Sequence, residues 1–189
     1  MKSCFKGKFK VTSPMGYRTD PVTGEKGVYH KGLDLVALGE DKNVYAIAEG
    51  VIEAVPYEAL GFGRYVRQRL PDGRRIYYAH MQKNSAVVEA GQTVKAGDKL
   101  GVMGSTGKST GAHTHLELRV QGTSKESLDI AEYTGIPNKI GIYEVRELTD
   151  LEVLVAEGVI NSPEYWETTA PTVKFLPELI HKMAERLRH

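Results

Sequence analysis

Residues 101–119 read GVMGSTGKSTGAHTHLELR, and two incompatible folds compete for them. As a phosphate-binding loop, the Gly107-Lys108-Ser109 run would lead into a helix whose amino terminus faces a phosphate, as in an α/β nucleotide-binding domain. As a loop before a strand, the same residues would belong to a β domain. Spacing decides between them. A phosphate loop needs Gly-x-x-x-x-Gly-Lys-Ser/Thr, which calls for glycine at position 102, where the chain has Val102. Beyond Lys108-Ser109 the chain runs through Gly111 into a strict alternation. His113, His115, Glu117 and Arg119 occupy one set of positions, and Thr114, Leu116, Leu118 and Val120 the other. That is the period of a strand with one polar and one apolar face. The glycines and hydroxyl residues ahead of it are expected to form a tight, mobile loop.

Outward from this strand the signature repeats. GLDLVAL and VYAIAEGVIEAV are short apolar runs, and GRYVRQRL and RRIYYAHM flank Pro71-Asp72-Gly73, a hairpin signal. VKAGDKLGVMG suggests a further short pair around Gly97-Asp98, while Pro14, Gly16, Pro21, Gly24 and Gly27 break the first thirty residues into loops. No helical period runs through 11–120, so the fold class expected is mainly β, an antiparallel β-sandwich or partly open barrel. Residues 1–10 read as an amino-terminal arm, 11–122 as the β domain, and 123–147 as a linker with a short strand near IGIYEVREL. Residues 148–189 read as a small α-helical appendage. There Thr149 and Glu152 form a capping box, and Val173, Leu176, Ile180, Met183 and Leu187 make one apolar helical stripe.

Composition sets further bounds. The 189 residues are 41% hydrophobic and 26% charged with a net charge of +1, an ordinary globular balance that points to neither nucleic acid nor a membrane surface as partner. The basic clusters Lys2–Lys10 and Arg64–Arg75 read as solvated faces. Cys4 is the only cysteine, which rules out an intramolecular disulfide and a cysteine zinc site. MKSCFKGKFKV has no apolar run behind its charges, so a secretory leader is not expected and the chain should fold in a reducing cytoplasm. No stretch approaches a membrane span, and oligomeric state is left open.

Four of the six histidines lie in the β region. Alternation puts His113 and His115 on one polar face, where two imidazoles can reach a single centre. His30 stands four residues before Asp34 with Gly32 between, an even spacing that gives both one face in an extended segment. Imidazole nitrogen with carboxylate oxygen suits a borderline ion such as zinc. His80 ends the hairpin strand in YYAHM.

His30-x-x-x-Asp34, Tyr78-Ala79-His80-Met81 and His113-Thr114-His115, in that order and separation, resemble the LytM/lysostaphin-type zinc endopeptidases, peptidase family M23. VTSPMGYR is similar to that family's opening Ser-Pro-x-Gly-x-Arg, and VKAGDKLGVMGSTGKSTGAHTHLELR to its loop into the last strand. The similarity covers about residues 11–121. It departs at Ala112 and Thr114, where the family commonly has proline and leucine.

The resemblance implies that His30, Asp34 and His115 hold one Zn2+ and that His80 and His113 are catalytic histidines. A zinc-activated water would then hydrolyse peptide bonds of bacterial peptidoglycan, in stem or cross-bridge peptides, with histidine acid/base help. Catalytic zinc keeps a position open for water, so not all of these side chains are expected to ligate. No His-Glu-x-x-His supplies a glutamate base, and Glu117, two residues past His115 on the same face, reads as a solvated carboxylate, with orientation of a histidine as the alternative. Loops 14–29, 56–63 and 104–112 would border the substrate groove, with Tyr17, Arg18 and Tyr57 as candidate contacts. The alternative of a non-catalytic LytM-like regulator or wall-binding module is disfavoured because all five positions are filled. A biotinyl or lipoyl carrier is disfavoured because no lysine sits at a hairpin tip. The expected context is a phage-type or prophage-type lysin made in the cytoplasm and released to the wall, with a mature domain of an exported protein as the alternative. The tail is similar to short helical segments appended to cell-wall hydrolases, and docking on the catalytic domain, wall binding and dimerisation are its candidate roles.

Overall fold

A computed structural model describes residues 1–120, 126–145, 150–156, 158–160, 166–167, 171 and 176–188. The chain forms two compact units, Met1–Val145 and Arg146–His189.

The first unit is built on β1 (Gly7–Ser13), β2 (Gly16–Arg18), β3 (Val28–His30), β4 (Leu33–Ala37), β5 (Asn43–Tyr45), β6 (Gly50–Ala54) and β7 (Tyr57–Glu58). These are followed by β8 (Gly63–Arg69), β9 (Arg75–Met81), β10 (Thr93–Val94), β11 (Lys99–Val102), β12 (Thr114–Arg119), β13 (Ser127–Leu128) and β14 (Gly141–Val145). A ten-stranded antiparallel sheet runs in the order β10-β6-β8-β9-β12-β4-β1-β14, with β13 beside β12 and β7 beside β8. β11 pairs with β5 and β2 with β3 in two small sheets. The sheet stays open, with β10 and β14 at its ends, so the expected mainly β, antiparallel architecture takes its open form.

The strand that decides the fold lies mid-sheet. β12 is flanked by β9, with His115 opposite Ala79, and by β4, with His115 opposite Asp34. Its apolar set, Leu116 and Leu118, enters a core shared with Leu33, Leu35, Ile76 and Tyr78. The hairpin across Pro71-Asp72-Gly73 forms as β8–β9.

Three local expectations need revision. The strands around Gly97-Asp98 do not pair with each other: β10 joins β6, and β11 joins β5. Residues 1–10 contribute to the core, because Lys8 and Lys10 alternate with buried Phe9 and Val11 along β1 and Cys4 and Phe5 are also buried. Burial of a side chain of Phe9's size is worth about 2–3 kcal/mol. Within 123–147 a short helix, α1 (Ile130–Thr134), accompanies the expected strand. Asp129 caps it by accepting from the Glu132 N–H, and Gly135 ends it at φ 70°. The expected boundaries at 122/123 and 147/148 fall outside the described residues.

In the second unit α2 (Asp150–Ala156) and α3 (Leu176–Leu187) bury Val153, Leu154, Ile180 and Ala184 together. The expected stripe is present on α3 through Leu176 and Ile180, while Met183 and Leu187 are partly exposed. Pro177 sits in the first turn, where its missing N–H is harmless. Thr149, the Glu152 side chain and Val173 lie outside the described residues. Among the described residues no helix is long and apolar enough to cross a membrane.

Burial pushes the Cys4 thiol up to about 12, which keeps it protonated and shielded at mildly alkaline pH. A thiol-specific dye is therefore expected to find no reactive thiol in the native protein and one in denaturant. Equal reaction rates in both states would contradict the placement of the amino-terminal segment in the core.

Candidate metal centre and its histidines

One bend of the chain and one mid-sheet strand build the metal centre. His30 ends β3 and Asp34 lies in β4. The chain bends between them at Lys31-Gly32, so bending, and not the shared face of an extended segment, brings them together. Gly32 allows the bend to pass against β12: a Cβ there would overlap the Leu116 carbonyl and come within 2.9 Å of His115 Cε1. His30, Asp34 and His115 are 6%, 8% and 7% exposed. His30 Nε2 lies 3.1 Å from Asp34 Oδ1 and 3.0 Å from His115 Nδ1, and His115 Nδ1 lies 2.9 Å from the same Asp34 oxygen.

Hydrogen bonds at the outer edges of the rings fix which nitrogens face inward. His30 Nδ1–H donates to the Pro14 carbonyl at 2.8 Å, an oxygen that can only accept, so Nε2 carries its lone pair toward the centre. His115 Nε2–H donates to the Glu117 carboxylate at 3.2 Å, which leaves Nδ1 as the inward atom. In these neutral tautomers two nitrogen lone pairs and a carboxylate oxygen meet. Such a set is stabilised by a positive charge, and its donors are those of a zinc site. Its ligand atoms all lie within 4.8 Å of one another.

The surrounding charges hold this arrangement. Burial alone would raise the Glu117 carboxyl, but hydrogen bonds from His115, Arg119 at 2.7 Å and Ser127 at 2.6 Å bring it down to about 2. Asp34 stays ionised against its own burial through His115 and His30, and Arg18 Nη1 donates to its Oδ2 at 3.0 Å while also reaching Ser13 Oγ. Burial lowers His115, yet Asp34 and Glu117 outweigh it and raise the ring to about 9, so with no metal ion bound Nδ1 takes up a proton toward Asp34, and a metal ion would displace that proton.

The other two histidines adjoin this centre. His80 and His113 place their ring centroids 4.7 Å apart, and His113 Nε2 is 3.6 Å from Asp34 Oδ1. His113 Nδ1–H donates to the Gly111 carbonyl at 2.8 Å, and His80 Nδ1–H to the Thr106 carbonyl at 2.8 Å. Burial lowers His80 to about 4, so its ring is neutral at physiological pH. All five residues singled out in the sequence therefore gather in one place. A cleft of about 210 Å3 opens over them, with Arg18, Asp20, Phe62 and Lys108 in its walls. A second hollow of about 420 Å3 shares Arg18, Asp34 and His113 with it.

Loops 14–29, 56–63 and 104–112 border the cleft as expected, but the last is pinned. Lys108 N–H donates to the Gly61 carbonyl at 2.9 Å and its ammonium meets Asp20 at 2.6 Å. Gly107 at φ 75° packs against Gly63 with no room for a Cβ. Tyr17 is 80% exposed and lies outside the cleft, as does Tyr57 beneath the Arg64 guanidinium. Sequence reasoning passes over Phe62, stacked on His115 with centroids 5.6 Å apart, and Thr106. Arg18 is legible there only as a groove residue.

Residues 28–127 match the model of peptidase family M23. The chain belongs to this family. A Haemophilus influenzae protein named "Uncharacterized metalloprotease" is 39% identical over 122 residues, which is 64% of this chain and 25% of that protein. The "DD-carboxypeptidase/endopeptidase Mpg" of Neisseria meningitidis is 35% identical over 122 residues, 65% of this chain and 27% of the relative. The chain thus spans about a quarter of the length of these curated relatives. Among solved structures, the catalytic domain of lysostaphin from Staphylococcus simulans is similar at 28% identity and a TM-score of 0.58, covering 67% of this chain and 92% of that domain.

Gly32→Ala is expected to displace β12 from the β3–β4 bend, lowering both the melting temperature and the divalent metal retained after dialysis. Gly39→Ala, where a Cβ meets nothing within 4 Å, serves as the control. Wild-type metal content and melting in the Gly32 variant would refute this account of the bend.

Proposed function

We propose that this M23 chain is a zinc-dependent endopeptidase that hydrolyses peptide bonds in bacterial peptidoglycan. The observation that carries the reading is the convergence of His30 Nε2, Asp34 Oδ1 and His115 Nδ1 beneath a cleft that two further histidines adjoin. The substrate class is supported by the name of a Vibrio cholerae relative, "Peptidoglycan DD-endopeptidase ShyC", 37% identical over 109 residues, 57% of this chain and 24% of that protein. Zinc held by His30, Asp34 and His115 would supply Lewis acidity toward a peptide carbonyl and make water a nucleophile near neutral pH.

The remaining work falls to the chain's own groups. Pro14 and Glu117 hold the two ligand rings in the tautomers that leave the inward nitrogens free, and Arg18 turns Asp34 so that Oδ1 faces them. His80 and His113 each keep Nδ1–H on a backbone carbonyl. In the neutral form each then presents Nε2 to take a proton from the attacking water and return it to the leaving amine. In protonated form the same rings would steady the oxyanion. Burial of His80 keeps it in the basic form across the neutral range.

The test compares zinc content and release of soluble fragments from purified peptidoglycan. His115→Ala is expected to lose both. His113→Ala is expected to retain zinc and lose about 100-fold or more in rate, the usual scale of a lost acid/base group. A wild-type protein that binds no zinc, or two variants that digest wall at the normal rate, would end the reading. Mass spectrometry of the fragments identifies the bond cut.

A further inference from the structure

We propose that Thr106 is the positioning residue for His80. This rests on the reading of His80 as an acid/base group, and the observations behind it are geometric. His80 has a left-handed backbone at φ 59°, a conformation that a residue with a side chain holds only where its surroundings over-determine it. The cause lies in the β8–β9 ladder, whose register slips between Arg64 and Val66 opposite Tyr78–Met81. A bulge of this kind re-aims a side chain and takes hydrogen bonds from the ladder.

Thr106, which lies in neither strand, answers for those bonds. Its hydroxyl donates to the Met81 carbonyl at 2.6 Å and accepts from the Arg64 N–H at 2.9 Å, so one oxygen clamps the Arg64–Met81 pair on one side of the bulge. Its carbonyl accepts from His80 Nδ1–H at 2.8 Å, which sets the ring's tautomer and orientation. The His80 N–H is held separately by the Phe62 carbonyl at 2.8 Å.

Nothing in the seam has room to shift. Gly63, at φ 64°, would place a Cβ into the Thr106 backbone, and Gly107 would place one into the Gly63 amide. The Lys108 N–H on the Gly61 carbonyl closes the far side. The hydroxyl therefore fixes where the Thr106 carbonyl stands, and the carbonyl fixes the ring. Valine has the same shape and lacks the hydroxyl, and serine keeps the hydroxyl and loses only the methyl group.

The experiment uses the full chain carrying Thr106→Val or Thr106→Ser. Long-range proton–nitrogen NMR reads the His80 tautomer, and kinetics on purified peptidoglycan are followed beside zinc content. Thr106→Val is expected to convert a single Nδ1–H tautomer into a mixture. It should also lower kcat at least tenfold, with KM within twofold and zinc unchanged. Thr106→Ser should restore the single tautomer and come within twofold of the wild-type kcat. Wild-type tautomer and kcat in the valine variant overturn the proposal, as does a serine variant as impaired as valine, or loss of zinc in step with activity. If valine does not fold, the serine variant and the wild-type tautomer decide, since a wild-type His80 protonated on Nε2 also overturns it. A wild-type protein that cuts no wall but shows the tautomer response fails the endopeptidase reading alone.

Discussion

Four imidazole rings stand around the cleft, and each has its outer N–H bound to an oxygen that can only accept: Pro14 for His30, Thr106 for His80, Gly111 for His113 and Glu117 for His115. Everything else at the site depends on this. A neutral imidazole has one donor and one acceptor nitrogen, and fixing the donor outward leaves a lone pair facing in. An outer N–H without its partner would cost about 1–3 kcal/mol as a buried unsatisfied group, and the ring would then be free to exchange tautomers. Three of the four acceptors are main-chain carbonyls. The tautomers of those three rings are therefore set by backbone geometry, by where the loops after β1 and β11 pass.

The carboxylates obey the complementary rule. Asp34 and Glu117 each face a histidine on one side and an arginine on the other, Arg18 and Arg119. Buried acids with no cation outside would take up protons. His115 first, then Arg119 and Ser127, hold Glu117 down to about 2 despite its burial, and His115 and His30 do the same for Asp34. Both acids stay ionised through the neutral range and the inward atoms remain a negatively biased set. Arg119 also lies over the Tyr77 ring, 4.4 Å from its centroid, and 5.1 Å from that of Phe62. The ring stacked on His115 and the cation holding Glu117 are thus parts of one packed layer.

How much of this the sequence discloses depends on the range of each interaction. The β12 alternation and the Pro71-Asp72-Gly73 hairpin are local, and they place His113, His115 and His80 in register before any coordinates are known. The family's motifs bring His30 and Asp34 with them. The even His30–Asp34 spacing is a poor reason for a sound pairing, because Gly32 turns the chain between them. The helix α1 carries Asp129, Glu132 and Gly135 as local signals that a linker reading overlooks. β10 and β11 find partners about forty to sixty residues away, and no local pattern names those partners. Thr106 likewise touches Arg64, His80 and Met81 across 25 to 42 residues.

Composition alone makes 101–119 a mobile rim joined to a chemical strand, whereas the folded stretch is one rigid piece. Glycine suits a phosphate loop because backbone amides must approach an anion closely. Here Gly107 serves a close approach of backbone to backbone, against Gly63, and Lys108 meets a carboxylate of the same chain where a phosphate would sit in a nucleotide-binding protein. Because Asp20 also accepts from the Val22 and Thr23 amides, the Lys108 contact ties the 14–29 loop, the 56–63 loop and the 104–112 loop into one frame. A change in the length of any one loop must carry the other two with it or break that frame. The groove's shape is consequently a joint property of three distant segments, and three of the four histidines beneath it are held by main-chain carbonyls of two of those segments.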